Sequence, residues 1–228
     1  MKVTLSFEES VSRDVSIVVD ALRASTTITM AFNNFKHIIP TFSPDIARNI
    51  AKDCDGVLVG ERLGVKLEGF DIGNSPEKVM NYETNKDTMV ITTTNGTRIL
   101  ESIDSKVLVG SFVNAKSVAS SALNIADEHI DLVMAGRKGN FAIEDYLACG
   151  EILYWINTLG EDIRLSEYSI SSILASRDIK KSNEAILNSS SAKILEAIGY
   201  INDVKFSIQR NITDNVGFYE NGELILLD

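Results

Sequence analysis

Cysteine and histidine are nearly missing from this chain, with two of each in 228 residues. Cys54 and Cys149 cannot build a disulfide framework, and such sparse use points to a reducing compartment. Neither is followed by an arginine at the spacing of a cysteine-phosphatase loop, so both read as buried thiols serving as small hydrophobes. His37 and His129 stand outside every polar cluster of the sequence, which leaves a phosphohistidine route or a His-based triad without support. No apolar run approaches the ~20 residues needed to cross a bilayer. The start, MKVTLSFEES, lacks the basic-then-apolar layout of a signal peptide. A cytoplasmic location is the expectation. Positive charge is short as well: 22 Lys and Arg against 32 Asp and Glu give a net charge of −10. Nucleic acid and anionic membranes both demand a basic surface, so neither is an expected partner. A small molecule or a protein remains, and an anionic ligand would need basic residues gathered in a cleft.

What is present is an ordinary globular composition, 44% hydrophobic and 24% charged, in a length that suits one large domain, residues 1–228. Short β-branched runs each end in polar chemistry: VSIVV into Asp20, GVLVG into Glu61, TMVITTT into Asn95, KVLVG into Ser111 and DLVMAG into Arg137. Separated by helical patterns, they predict an α/β fold of three layers on a mostly parallel or mixed sheet. Helices are expected at Ser25 to Asn33, Pro44 to Asp53, Thr97 to Ile103, Ala115 to Glu128 and Glu144 to Leu159, with Ser43 and Pro44 as a start signal. Residues 166–199 read as a serine-rich helical section, before a closing strand at GELILLD. VLVG occurs twice, and VVDALRASTT and ITTTNGTRIL both place an arginine shortly after a strand. That pattern raises an internal duplication, with coincidence in a small strand alphabet as the alternative.

Four stretches could carry chemistry. In VVDALRASTTI, Asp20 ends a buried strand where open α/β sheets place ligands, and Arg23, Ser25 and neighbouring threonines follow. A carboxylate there suits a hard cation, and an arginine fork suits an oxyanion. The plainer reading has Asp20 capping the next helix with Arg23 as its surface partner. GERLGVKLEGFDIGNSPEKV packs Glu61, Arg62, Lys66, Asp71 and four glycines ahead of Asn74, Ser75 and Pro76, a helix start whose amides favour an anion. A long irregular loop is the alternative. TTTNGTR offers Thr93, Thr94, Asn95, Gly96 and Arg98. Asn-Gly is a hairpin signal, but Ile99, Leu100 and Ile103 have helical spacing, so a strand-turn-helix reading replaces the hairpin. In AGRKGNFAIEDYLACG, Arg137 and Lys138 precede Glu144 and Asp145, acids that could equally serve only the helix dipole. Six of the 22 basic residues, Arg23, Arg62, Lys66, Arg98, Arg137 and Lys138, occupy these turns beside Asp20, Glu61, Asp71, Glu144 and Asp145, a mixture suited to a metal and a polyanion.

These four stretches, in their order and spacing, resemble the 2-phosphosulfolactate phosphatases of coenzyme M biosynthesis, and DVKFSIQRNITDNVGFYENG fits the family's ending more loosely. The resemblance covers most of the chain. It implies a three-layer α/β fold peculiar to the family and a Mg2+-dependent hydrolase that takes phosphate from (R)-2-phospho-3-sulfolactate. On that reading Asp20, Glu61 and one or both of Glu144 and Asp145 hold Mg2+, and one carboxylate orients water. Arg23, Arg62, Lys66 and Arg98 neutralise charge, with Asp20, Glu61 and Arg98 as the catalytic set. Ser25, Asn74, Ser75, Thr93, Thr94, Asn95, Gly96 and Arg137 complete the contacts to a substrate carrying phosphate, sulfonate and carboxylate. The family pattern favours glycine at Leu63, serine at Ala142 and cysteine at Ser207, so this chain departs at three places. Another 2-phospho acid as substrate, a noncatalytic binder of an anionic metabolite, and a homo-oligomeric state all stay open at this point.

Overall fold

A computed structural model describes residues 1–93, 99–100 and 102–227. It is an α/β fold on an 11-stranded mixed sheet. The strands are β1 (Lys2–Phe7), β2 (Val15–Val19), β3 (His37–Pro40), β4 (Val57–Arg62), β5 (Val65–Lys66), β6 (Thr88–Thr92), β7 (Lys106–Val109), β8 (His129–Met134), β9 (Arg164–Leu165), β10 (Gly217–Glu220) and β11 (Glu223–Leu226). Their spatial order is β5-β4-β6-β3-β11-β10-β7-β2-β8-β1-β9. The helices among the described residues are α1 (Ala24–Ala31), α2 (Pro44–Asp53), α3 (Pro76–Met80), α4 (Ala115–Ile125), α5 (Ile143–Leu159), α6 (Glu167–Ser176), α7 (Ile179–Leu187), α8 (Ser190–Ala197) and α9 (Ile201–Ser207).

Two parallel sub-sheets make up this arrangement. One is β4-β6-β3 and the other β7-β2-β8-β1. Between them lies the hairpin β10-β11, which pairs antiparallel internally and with a neighbour on each side. Three antiparallel pairings in succession leave the two sub-sheets running in opposite directions. Strand residues alternate faces, and the burial follows that rule. Ile17, Leu108 and Leu132 face a core with Ala119 of α4 and with Ile152 and Leu153 of α5. Val18, Val109 and Val133 face the other way and share a core with Ile38, Val59, Met89 and Ile91 of the second sub-sheet, with Ile28 of α1 among them. Val90 packs outward onto Ala47 and Ala51 of α2. Residues at the C-terminal ends of both sub-sheets, Asp20 and Gly136 from one and Glu61 and Thr93 from the other, line one cleft, so the sheet curves enough to bring these opposed ends together.

Most of the expected elements are found, with shifts that have local causes. α2 starts where Ser43 accepts from Ile46 N. α4 stops at Ile125 because Ala126 turns to extended backbone at φ −85, ψ 137. Ile99 and Leu100 are helical, whereas Thr97 lies outside the described residues. The helical section expected at 166–199 consists of α6, α7 and α8, and α9 continues it. β1, β3 and β10 were not anticipated. β1 is interrupted by Thr4 and Ser6, whose hydroxyls donate to buried Asp131 on β8. The stretch after Glu61 is not simply a loop: β4 and β5 form a tight hairpin with Glu61 opposite Lys66 and Arg62 opposite Val65. Cys54 requires correction, since it is exposed at the C-terminal end of α2 while Cys149 is buried. No helix is long and apolar enough to cross a membrane among the described residues. The similar segments VVDALRASTT and ITTTNGTRIL begin in β2 and β6, one in each sub-sheet.

Two of the unusual positions can be explained from this fold. Leu63 occupies the hairpin turn at φ 55, followed by Gly64 at φ 85, a left-handed pair that suits glycine at either place. Ala142 is the N-cap of α5, and no side chain caps that helix. Ala142→Ser would supply the missing acceptor to the first-turn amides. It is expected to raise stability by about 1 kcal/mol in urea unfolding. Gly150 lies where α5 and α6 touch, and a methyl there would collide with the Ser172 backbone carbonyl. Gly150→Ala is expected to lower stability by ~1–3 kcal/mol in the same measurement.

Candidate active site

One cleft, about 80 Å³ in volume, collects the ends of four strands. Asp20 follows β2, Gly136 follows β8, Glu61 lies near the end of β4, and Thr93 follows β6; all four line it. Glu144 and Asp145, from the first turn of α5, add two carboxyls, and Arg23, Asn74, Arg137 and Lys138 add polar and basic groups. Leu22, Leu63, Ile194 and Leu195 provide an apolar rim, with Ser191 beside them. A more open hollow of about 710 Å³ adjoins the cleft and shares Arg137, Lys138, Glu144 and Ser191 with it.

The acidic side chains are held firmly. Asp20 is 7% exposed and its Oδ1 accepts from Ala24 N, the first amide of α1, at 3.4 Å, although the N-cap of that helix is Arg23 and not Asp20. Its own amide donates to Ser25 Oγ at 2.8 Å, which makes Ser25 part of the turn that shapes the strand end. Burial is the main force pushing the Asp20 carboxyl up to about 7, and the nearby Glu61 and Glu144 push in the same direction. Asp145 Oδ1 accepts from Ala21 N at 2.8 Å and its Oδ2 from Gly136 N at 2.9 Å, tying the ends of β2 and β8 together. Burial, then Asp20 and Glu144, raise the Asp145 carboxyl against the pull of those two amides. Glu61 Oε2 accepts from Gly64 N inside the β4-β5 turn. Among the described residues no three carboxyl, imidazole or thiol groups converge as a ready-made metal cage.

The basic residues divide into those at the cleft and those away from it. Arg23 is not a surface partner of Asp20. It is 3% exposed, pairs with Asp203 of α9 and donates to Gly64 O at 2.9 Å. Arg137 and Lys138 reach the cleft from the loop after β8, with Lys138 at φ 51. Arg62 instead donates to Glu61 O, Phe42 O and Thr92 Oγ1, away from the cleft lining. Lys66 Nζ donates to Phe70 O at 2.9 Å and braces the following loop. Asn74 lines the cleft with a buried Oδ1 that has no hydrogen-bond partner among the described residues. Ser75 is fully buried and its Oγ donates to Asp203 Oδ1 at 2.7 Å instead of capping α3. Thr94, Asn95, Gly96 and Arg98 lie outside the described residues.

Sequence reasoning missed Asp203, Ser191, Ile194 and Leu195. The serine run at 189–191 was visible, but nothing in it indicated that α8 would be laid across the cleft. The two histidines are elsewhere: His37 Nδ1 sits 3.1 Å from Glu223 and His129 Nε2 2.8 Å from Thr4 Oγ1.

Against this geometry the sequence relationships become decisive. A family-wide profile described as 2-phosphosulpholactate phosphatase matches residues 3–222. The chain belongs to the 2-phosphosulfolactate phosphatase family. Its relatives include the 2-phosphosulfolactate phosphatase of Methanothermobacter thermautotrophicus, 44% identical, with 100% of this chain and 96% of the relative aligned. That of Methanocaldococcus jannaschii is 40% identical over 94% of this chain and 92% of the relative. A probable 2-phosphosulfolactate phosphatase of Clostridium beijerinckii is 30% identical over 95% and 93%. The family places the chain among phosphoric monoester hydrolases, an enzyme class for which a carboxylate-floored, base-rimmed cleft is well suited.

The Asp20 environment has a measurable consequence in metal-free protein. Unfolded, its carboxyl ionises near 3.8; folded, near 7. Between those values the folded state binds the additional proton, so stability falls as pH rises through that window and the cost is complete above it. Asp20→Asn, which keeps shape and the acceptor for Ala24, is expected to be more stable than the parent by on the order of a few kcal/mol at pH 8 in EDTA. The difference should close toward pH 4, as followed by urea unfolding at stepped pH.

Proposed function

We propose that this chain is a Mg2+-dependent phosphatase that hydrolyses (R)-2-phospho-3-sulfolactate to sulfolactate and phosphate, a step of coenzyme M biosynthesis in the cytoplasm. The observation that carries the metal and substrate reading is the charge balance of the cleft. Asp20, Glu61, Glu144 and Asp145 line it against Arg23, Arg137 and Lys138, and Arg23 is already paired with Asp203. Such a floor repels a polyanion until a cation is present. Mg2+ is commonly held by one or two carboxylates and completes its shell with water and substrate oxygens, which fits acids that do not form a closed cage. One or two of Asp20, Glu61 and Glu144 would hold it, with Asp145 holding the strand ends in place. When bound, the ion supplies neutralisation of charge on the phosphoryl oxygens.

The chain's own groups account for the remaining work. Phosphoryl transfer depends mainly on positioning and electrostatic stabilisation. Arg137 and Lys138 come from the loop after β8 and Arg23 from the turn after β2, basic groups from two segments of the lining able to grip two anionic groups of one small substrate. Arg98, Thr94 and Asn95 belong to the same reading through their sequence position. One of the cleft carboxylates that Mg2+ leaves free would orient the attacking water and accept its proton. The 710 Å³ hollow beside Arg137 and Lys138 gives the substrate's non-phosphate end a route in from solvent.

Phosphate release from phosphosulfolactate, phospholactate and an aryl phosphate, each with Mg2+ or EDTA, tests this. Release is expected to be fastest from phosphosulfolactate, to stop in EDTA and to return with Mg2+. Equal rates on all three substrates would remove the substrate assignment, EDTA-insensitive release would remove the metal, and no release would leave an anion-binding protein. Asp20→Asn is expected to lower kcat by at least about 100-fold while the protein remains folded.

A further inference from the structure

Arg23 has the wrong neighbour for a surface arginine and the right one for a fixed clamp. One of its terminal nitrogens donates to Asp203 Oδ2 and the other to Gly64 O. The guanidinium stacks on the ring of Tyr200 with its carbon 4.6 Å from the centroid. Asp203 is 4% exposed, and its second oxygen is taken by Ser75 Oγ at 2.7 Å. The side chain therefore has one oxygen on the sequence motif around Asp20 and one on the motif around Asn74. Gly64, the other acceptor of Arg23, donates its own amide to Glu61 Oε2. A continuous chain of contacts thus runs from Ser75 through Asp203, Arg23 and Gly64 to Glu61, linking α9 to two groups that line the cleft.

We infer that Asp203 is a positioning residue for the substrate-gripping face of Arg23, holding the guanidinium so that its uncommitted N–H groups meet an anionic group of the substrate. The inference rests on the phosphatase reading above. Its physical content is preorganisation. An arginine carries five donors in a planar fork, and fixing two edges of that fork in advance removes rotamer freedom that substrate binding would otherwise have to remove. A free arginine beside Asp20 and Glu61 would instead turn to the nearest carboxylate and be lost to the substrate. Asp203, which pairs with Arg23 and does not line the cleft, supplies a competing carboxylate outside the acidic floor. Tyr200 restricts the plane of the guanidinium, and Gly64 O fixes its rotation within that plane.

A purely structural Asp203 and a positioning Asp203 differ in what they move. Steady-state kinetics on phosphosulfolactate with saturating Mg2+, measured for the parent, Asp203→Asn, Arg23→Gln and the double variant, separates them. With the parent active, Asp203→Asn is expected to raise KM about 10-fold or more while kcat changes less than about threefold. In the Arg23→Gln background it should add nothing to KM, because its effect is transmitted through that side chain. Asp203→Glu is expected to recover part of the KM. An unchanged KM in Asp203→Asn, or KM effects that add in the double variant, would overturn the proposal. Ser75→Ala covers the case in which Asp203→Asn does not fold. It releases one oxygen of Asp203 without leaving a charge unpaired, and should raise KM in the same direction by a smaller factor; an unchanged KM there would overturn the proposal equally. A parent that releases no phosphate would point instead to failure of the phosphatase reading itself, which keeps the two failures distinct.

Discussion

Everything in this molecule depends on keeping several carboxyl groups out of water within one narrow space. Asp20, Glu61, Glu144 and Asp145 are each 7% exposed or less, and they share a cleft whose described basic residues do not outnumber them. Burying a charge without a partner costs several kcal/mol, so such groups titrate upward or wait for a cation. The backbone limits that cost at specific atoms: Ala24 N serves Asp20, Gly64 N serves Glu61, and Ala21 N with Gly136 N serves Asp145. Each of those amides lies at a strand end, a turn or the first position of a helix, where secondary structure leaves it available. The acidic floor is therefore a property of where the strands stop.

The curved sheet is what makes those stopping points coincide. In a flat sheet, sub-sheets of opposite direction would put the C-terminal ends of β2 and β8 on the far edge from those of β4 and β6. Here Val18, Val109 and Val133 share a core with Val59, Met89 and Ile91, and the shared burial turns the two edges toward each other. At ~25 cal/mol per Å² of apolar surface removed from water, a core built from two fully covered sheet faces is a large enough driving force to hold acids together that would otherwise separate. The hairpin β10-β11 is the hinge of this geometry, since it supplies the reversals that set the opposed directions. Its residues come from the chain's last twelve, so the site is complete only when the C-terminal segment has docked.

Much of this was legible in the sequence because strands that are buried on both faces write continuous β-branched runs, and each such run announced its polar end. VSIVV before Asp20 and VLVG before Glu61 are of that kind, and the α/β class, the positions of α2 and α5, and the helical section beyond residue 166 followed from periodicity alone. Strands that escaped notice have a different chemistry. β1 mixes Val3 and Leu5 with Thr4 and Ser6, because its polar residues face Asp131 instead of an apolar layer. Of the candidate site, the acids were readable from their place at strand ends and a helix start. The pairing of Arg23 with Asp203, 180 residues apart, was not, because no local pattern encodes a contact made only by docking of α9. Arg62 and Lys66 show the converse limit: a basic residue in a rich motif can be spent on backbone carbonyls, and composition does not distinguish that from a ligand contact.

The three departures from the family pattern bear on how the site is supported, and they sit at its margins. Leu63 accepts a left-handed turn that glycine would occupy without a Cβ penalty, yet its side chain lies on the rim of the cleft. Ala142 leaves uncapped the helix that presents Glu144 and Asp145. Ser207 is fully buried with an Oγ that has no hydrogen-bond partner among the described residues, a position where a thiol would lose less by burial, because sulfur hydrogen-bonds weakly. Each departure removes local stability without placing or removing a charge in the cleft. The acids are held by backbone amides and the arginine by Asp203, and none of these contacts is made by the side chain of a residue that changed.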